Sequence, residues 1–192
     1  MGEQEQSFER MGAVLKKAAR VLHDADVPFL LGGSLASWAR GGPESRNDLD
    51  FMVRPEDAER ALEALTDAGM HGESPPEGWL FKACDDGVPI DIIFEPRGLQ
   101  MTDEVFERGE ELEVLALPIR VMAIEDVIAC KLHAMDEHEL DYSGVLEIAR
   151  ALREQIDWEI VRADTDGNPY AHAFFVLVEE LGIASSAPAG EA

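Results

Sequence analysis

Two short stretches, Leu31-Gly32-Gly33-Ser34 and Asp48-Leu49-Asp50-Phe51, decide how this chain is read, and residues 35–47 separate them. In the second stretch Asp48 and Asp50 alternate with Leu49, Phe51 and Val53. That is the period of a strand, with side chains i and i+2 on one face and their α-carbons about 6.5–7 Å apart. The apolar set then faces a core, and the two carboxylates share the other face. Like charges held side by side repel unless a cation lies between them. Hard oxygen donors of this kind suit Mg²⁺ or Mn²⁺. A third carboxylate, Asp91, stands in Val88-Pro89-Ile90-Asp91-Ile92-Ile93-Phe94, an otherwise apolar strand. If that strand pairs beside the first, three acids converge, and such a set can hold two cations about 3.5–4 Å apart.

The first stretch supplies a complementary part. Val27–Leu31 reads as a short buried strand that ends in Gly32-Gly33 and enters a helical turn through Leu35 and Trp38. Two glycines let backbone N–H groups approach a phosphate, and Ser34 either caps the helix or hydrogen-bonds a phosphate oxygen. Alone, a Gly-Gly-Ser is a turn. In this order and at this spacing, the two stretches and the later Asp91 resemble the signature of the nucleotidyltransferase superfamily related to DNA polymerase β. The signature there is an apolar residue, Gly-Gly or Gly-Ser, a spacer of similar length, then Asp-apolar-Asp/Glu-apolar. The resemblance covers residues 27–95. It extends more loosely through residues 124–133, Ile-Glu-Asp-Val-Ile-Ala-Cys-Lys-Leu-His, which look like a helix of toxin-type and related small bacterial nucleotidyltransferases.

The resemblance implies an α/β (α+β) fold, a mixed β-sheet flanked by helices with an all-helical C-terminal part. It also implies Mg²⁺-dependent (or Mn²⁺-dependent) transfer of a nucleoside monophosphate from an NTP to an acceptor hydroxyl, releasing pyrophosphate. One cation would be held chiefly by Asp48 and Asp50. A second would lower the acceptor's pKa, with Asp91 bridging or acting as base. Gly32, Gly33 and Ser34 would hold the β- and γ-phosphates, and Arg46 would offset their charge. Lys131 interrupts the apolar stripe Ile124, Val127, Ile128, Met135; it either snorkels or reaches toward the triphosphate or Asp141. Relatives carry a Lys-Asp pair before the next helix, where this chain has His138-Glu139-Leu140-Asp141-Tyr142. With the basic partner missing, Asp141 reads as an N-cap for a helix from Tyr142. The acceptor stays open among a tRNA 3′ end, a protein and an aminoglycoside-like small molecule, as does membership of a toxin–antitoxin pair with a cognate partner. A non-catalytic nucleotide-binding protein of the same fold is the reading from another class.

Composition bounds these expectations. The chain has 192 residues, with 16 Lys and Arg against 40 Asp and Glu, for a net charge of −24. Such an excess argues against gripping nucleic acid by its phosphates. It fits solubility or salt adaptation, and secondarily the attraction of a cationic substrate. No apolar run reaches the ~18 residues of a membrane span. The N-terminus lacks a basic-then-apolar signal, so a cytoplasmic location is expected. Cys84 and Cys130 lie in apolar surroundings and read as buried thiols. The five histidines show no metal-ligand spacing, and Trp38 reads as core.

Along the chain, Ser7 is the expected N-cap of a first helix, and Pro55 opens a helix that Gly69 ends. Gly72–Gly78 reads as a loop, and the strands around Asp85-Asp86-Gly87 as a hairpin. Leu112–Leu115 and Ile119–Met122 read as further strands. Helices are expected over Ile124–Met135, Tyr142–Glu154, near Trp158 and over Tyr170–Leu181, the last packing Phe174, Phe175, Leu177, Val178 and Leu181 on the catalytic half. The expected organisation is a catalytic core over residues 1–123, a helical part over 124–183 packed on it, and a disordered tail over 184–192.

Overall fold

A computed structural model describes residues 3–43 and 48–185 of the chain. Among these residues the order is α1 (Glu3–Asp24), β1 (Phe29–Leu31), α2 (Gly33–Ala39), β2 (Leu49–Val53), α3 (Ala58–Asp67), β3 (His71–Glu73), β4 (Leu80–Asp85) and β5 (Val88–Ile93). Then follow α4 (Asp103–Arg108), β6 (Glu110–Val114), β7 (Leu117–Val121), α5 (Ile124–His133), α6 (Ser143–Leu152), α7 (Trp158–Asp164) and α8 (Pro169–Glu180). The strands form one mixed sheet in the order β3-β4-β5-β2-β1-β7-β6. The expected mixed sheet flanked by helices, with a helical C-terminal run, is what the chain builds.

The period-2 patterns explain the centre of the sheet. Leu49 and Phe51 are fully buried, and Phe51 meets Phe29 edge to face with centroids 5.2 Å apart. Strand β1 lies antiparallel to β2 and parallel to β7. Its end is clamped from both sides: Gly32 N–H donates to the Asp50 carbonyl at 2.8 Å, and Met122 N–H donates to the Leu31 carbonyl at 2.9 Å. Helix α1 lies on the sheet face away from Asp50, tied by the Lys17–Asp85 ion pair at 2.9 Å. Helices α2 and α5 cover the face that carries Asp50 and Met52.

The two hairpins with two-residue turns pass through residues of positive φ: Asp86 (46°) and Gly87 (75°) in β4–β5, and Leu115 (53°) and Ala116 (59°) in β6–β7. That backbone matches the right-handed twist of the flanking strands.

Several expectations are corrected. Helix α1 begins at Glu3 and carries Ser7 inside it; the Glu and Gln residues ahead of Ser7 are good helix formers and extend the helix upstream. A 3₁₀ turn over Pro55–Asp57 precedes α3. Within the expected loop, His71–Glu73 adds an edge strand, β3, paired antiparallel to β4. Helix α4 forms inside the densest acidic run by burying Val105 and Phe106. Helix α6 begins at Ser143. Cys84 is exposed, because it shares the open face of β4 with Lys82, and Cys130 is only half-buried. In α8, Phe174 and Phe175 are buried, but they pack on Tyr142 and Trp158 of the helical run, and Leu181 is exposed. Ala184 is buried, while residues 186–192 lie outside the described residues. Among the described residues no helix is long and apolar enough to cross a membrane.

Candidate active site

Strands β2 and β5 run parallel in direct register, which sets Asp50 opposite Asp91 and Met52 opposite Ile93. Asp48, just ahead of β2, joins them. One carboxylate oxygen from each of Asp48, Asp50 and Asp91 lies within 4.8 Å of the others. The three acids singled out by alternation are therefore brought to one spot.

Their charges are poorly compensated. Burial first, then Asp48 and Asp91, pushes the Asp50 carboxyl up to about 7, against the pull of Lys131. Burial also holds Asp91 above the usual carboxylate range, opposed by Lys82 and reinforced by Asp48. Three converging carboxylates, with one held near 7 by burial and by its neighbours, fit a hard divalent cation in donor type and number.

The glycine turn is built against Asp50. Gly33 has φ +56°, and a Cβ there would collide with the Asp50 carboxylate. A Cβ on Gly32 would meet the Met52 sulfur at 2.8 Å. Ser34 follows in the first turn of α2. From the other side, Lys131 lines the same cavity as Gly33 and Asp50. Arg46 lies outside the described residues.

Some neighbours escaped the sequence reading. Lys82 sits opposite Asp91 across the hairpin, its Nζ 3.9 Å from Asp91 Oδ1. A cavity of about 310 Å³ opens beside Asp50, bordered by Met52, Trp79, Ile93, Met122 and Lys131. Arg97, on the loop after β5, borders it as well and reaches the Ala134 carbonyl and Asp136. Elsewhere on α5, fully buried Asp126 accepts from both Nε and Nη2 of Arg108. Burial pushes the Asp126 carboxyl up, opposed by Arg108 and reinforced by Asp164 and Glu125.

Other positions resolve into structural roles. Asp141 is not the N-cap of α6: Tyr142 holds that position, and Asp141, one residue ahead of it, accepts the Ser143 N–H at 2.8 Å through Oδ1. His133 is held between the Asp164 carbonyl and the Asn168 side chain. Trp38 is half-buried against Phe8. Burial raises the Cys130 thiol to about 12, so it stays protonated and unreactive near neutrality.

A family model described as "Uncharacterised nucleotidyltransferase" matches residues 6–175, and the chain belongs to that family. It is a nucleotidyl transfer enzyme by class. No curated protein sequence matches it. Among solved structures, the solution structure of the antibiotic-resistance factor ANT(2'')-Ia is 14% identical, with a TM-score of 0.63 over 91% of this chain and 97% of that one. The crystal structure of ANT(2'')-Ia with adenylyl-2''-tobramycin gives the same identity, 14%, and TM-score, 0.63, over 86% and 99% of the two chains. The lincomycin-bound lincosamide adenylyltransferase LnuA is 13% identical, with a TM-score of 0.51 over 70% and 91%. At such identities the likeness is one of fold.

Proposed function

We propose that this chain moves a nucleoside monophosphate from an NTP to a hydroxyl of a small-molecule acceptor, at Asp48, Asp50 and Asp91 with Mg²⁺ or Mn²⁺. The observation that carries the reading is the convergence of three carboxylates on neighbouring strands, at the foot of a glycine turn. A divalent cation held there neutralises phosphate charge and lowers the pKa of a bound hydroxyl. Asp48 and Asp50 would hold it on the nucleotide side, and Asp91 would reach the acceptor side. The acceptor oxygen bonds to the α-phosphorus while the bridging bond to the β-phosphate breaks. The electron pair leaves with pyrophosphate, and the hydroxyl proton passes to Asp91. Lys131 faces the triphosphate from α5. Gly32, Gly33 and Ser34 border it at the strand-to-helix turn, and Arg46 completes its charge balance.

Two considerations support a small acceptor over tRNA or a protein. A net charge of −24 opposes docking of a polyanion. Among the similar folds, one structure holds adenylyl-2''-tobramycin and another holds lincomycin.

The test is transfer from each of four NTPs labelled at the α-phosphate, with Mg²⁺. The acceptor pools are hydroxylated antibiotics including aminoglycosides, total tRNA, and a protein extract. Label on the small-molecule pool, abolished by chelation and in Asp48→Asn/Asp50→Asn, is the expected result. Label on tRNA or on a protein, the latter including a toxin or antitoxin partner, corrects the acceptor. If no pool is labelled and Mg²⁺ with NTP fails to raise the melting temperature, the catalytic reading falls, since a ligand of the folded state must stabilise it.

A further inference from the structure

The cavity beside the acids has two unlike ends. Asp50 and Lys131 border it at the acids, while Met52, Ile93 and Trp79 border it further along the strands, with Arg97 and Glu139 also in its lining. Met52 and Ile93 lie on the same strand faces as Asp50 and Asp91, opposite each other in register. The apolar end therefore begins about 7 Å from the acids, two residues further along both strands. Trp79 is a large apolar side chain left 38% exposed at its border. Its backbone is fixed all the same, because its carbonyl accepts from the N–H groups of Phe94 and Glu95, each at 3.2 Å. A volume of about 310 Å³ is within the range of small-ligand sites.

We infer that the apolar end seats the nucleobase of the NTP, with Trp79 as its stacking surface and Met52 and Ile93 as its walls. This rests on the function proposed above. One ligand that is polyanionic at one end and planar and apolar at the other matches the cavity end for end. An indole stacks on any base through its π-face, and thioethers are soft, adaptable partners for aromatic rings. Walls of this kind hold the base by area and polarisability. Purines, which cover more of such a surface, bind more tightly than pyrimidines. Trp79 is accordingly a specificity-determining residue for the nucleotide.

The experiment is calorimetric titration with Mg²⁺ of a non-hydrolysable α,β-methylene ATP analogue, its UTP counterpart, and inorganic tripolyphosphate as the base-free probe. Wild type, Trp79→Ala and Trp79→Phe are compared. Trp79→Ala should weaken the ATP analogue by about 5- to 100-fold and leave tripolyphosphate binding unchanged. Trp79→Phe, which keeps a ring, should recover most of the loss, and the ATP analogue should outbind its UTP counterpart on wild type. Unchanged binding of the ATP analogue to Trp79→Ala overturns the inference and leaves the proposed function standing. So does an equal loss for tripolyphosphate that Trp79→Phe does not repair. A Trp79→Ala enzyme that binds nucleotide normally but shows a raised KM for its acceptor alone gives the cavity to the acceptor, which also overturns it. If wild type binds neither ATP analogue nor tripolyphosphate in a Mg²⁺-dependent way, the proposed function fails first.

Discussion

Asp50 is the residue at which the physical conflict of the site is greatest. Its carboxyl is raised to about 7 in the folded chain by burial and by Asp48 and Asp91, from an ordinary value of 3.8. Between those two pH values the metal-free folded state holds a proton that the unfolded chain has released. Stability therefore falls as pH rises through this window and stays lower above it. Asp50→Asn removes the penalty. The metal-free variant should melt higher than wild type at pH 8, by about 2–4 °C for each kcal/mol recovered, and the two should converge near pH 4. Saturating Mg²⁺ should reverse the order at pH 8, because only the wild-type carboxylate repays cation binding. Thermal unfolding with and without chelator reads both; a wild type that gains stability from pH 5 to pH 8 without metal would contradict this. Legibility at this scale followed the type of residue. Asp50 and Asp91 stand out because a charge inside an apolar alternation needs a cause. Lys82 does not, since an exposed lysine on a strand is ordinary. It was nonetheless within reach: counting outward from the Asp86-Gly87 turn pairs Asp85 with Val88 and so Lys82 with Asp91. Trp79 gave no such signal, as only the folded chain shows a cavity beside it.

Among the elements, the two hairpins show what local sequence encodes and what packing overrides. Asp86-Gly87 is the residue pair that a two-residue turn of positive φ favours, and it could be read directly. Leu115-Ala116 takes the same backbone without a glycine. There the strands β6 and β7 impose the turn, while the half-buried Leu115 packs on the hydrophobic core. Ala116 is exposed, and a left-handed conformation costs an L-residue roughly 1–2 kcal/mol that glycine avoids. Part of that gain is lost to the greater freedom of glycine in the unfolded chain. Ala116→Gly is therefore expected to stabilise the fold by about 0.5–1 kcal/mol, seen as a higher denaturant midpoint with an unchanged slope. A lower midpoint would mean that the turn is not strained. The elements missed from sequence were missed for related reasons. Strand β3 is three residues without apolar alternation, held by backbone pairing to β4. Helix α4 hides in an acidic run and shows only Val105 and Phe106 to the core. The Arg108–Asp126 pair joins that helix to α5, and two charged residues read as surface until the fold buries one of them.

For the molecule as a whole, the arithmetic of charge sets a limit on what ion pairs can do. Even if all 16 basic side chains were paired, 24 of the 40 acids would remain without a cationic partner. Their mutual repulsion opposes the compact state, and it acts against nucleotide approach as well. Cations cluster where that matters: Lys131 borders the cavity, Arg97 stands at its edge and Lys82 faces Asp91. Screening should therefore help the fold more than it hurts it. The Debye length shrinks from about 30 Å at 0.01 M salt to about 3 Å at 1 M. That removes long-range repulsion among dispersed acids but leaves the buried Arg108–Asp126 contact little affected. The melting temperature is expected to climb by several degrees across this range. Sodium chloride and choline chloride distinguish screening from ion binding, because choline is too large to enter a cluster of three carboxylates. Equal rises in the two salts identify general repulsion as the cause. A rise in sodium alone, lost in Asp48→Asn/Asp50→Asn, would place the effect at the acid site instead. The surface excess would then contribute little to the energetics of folding.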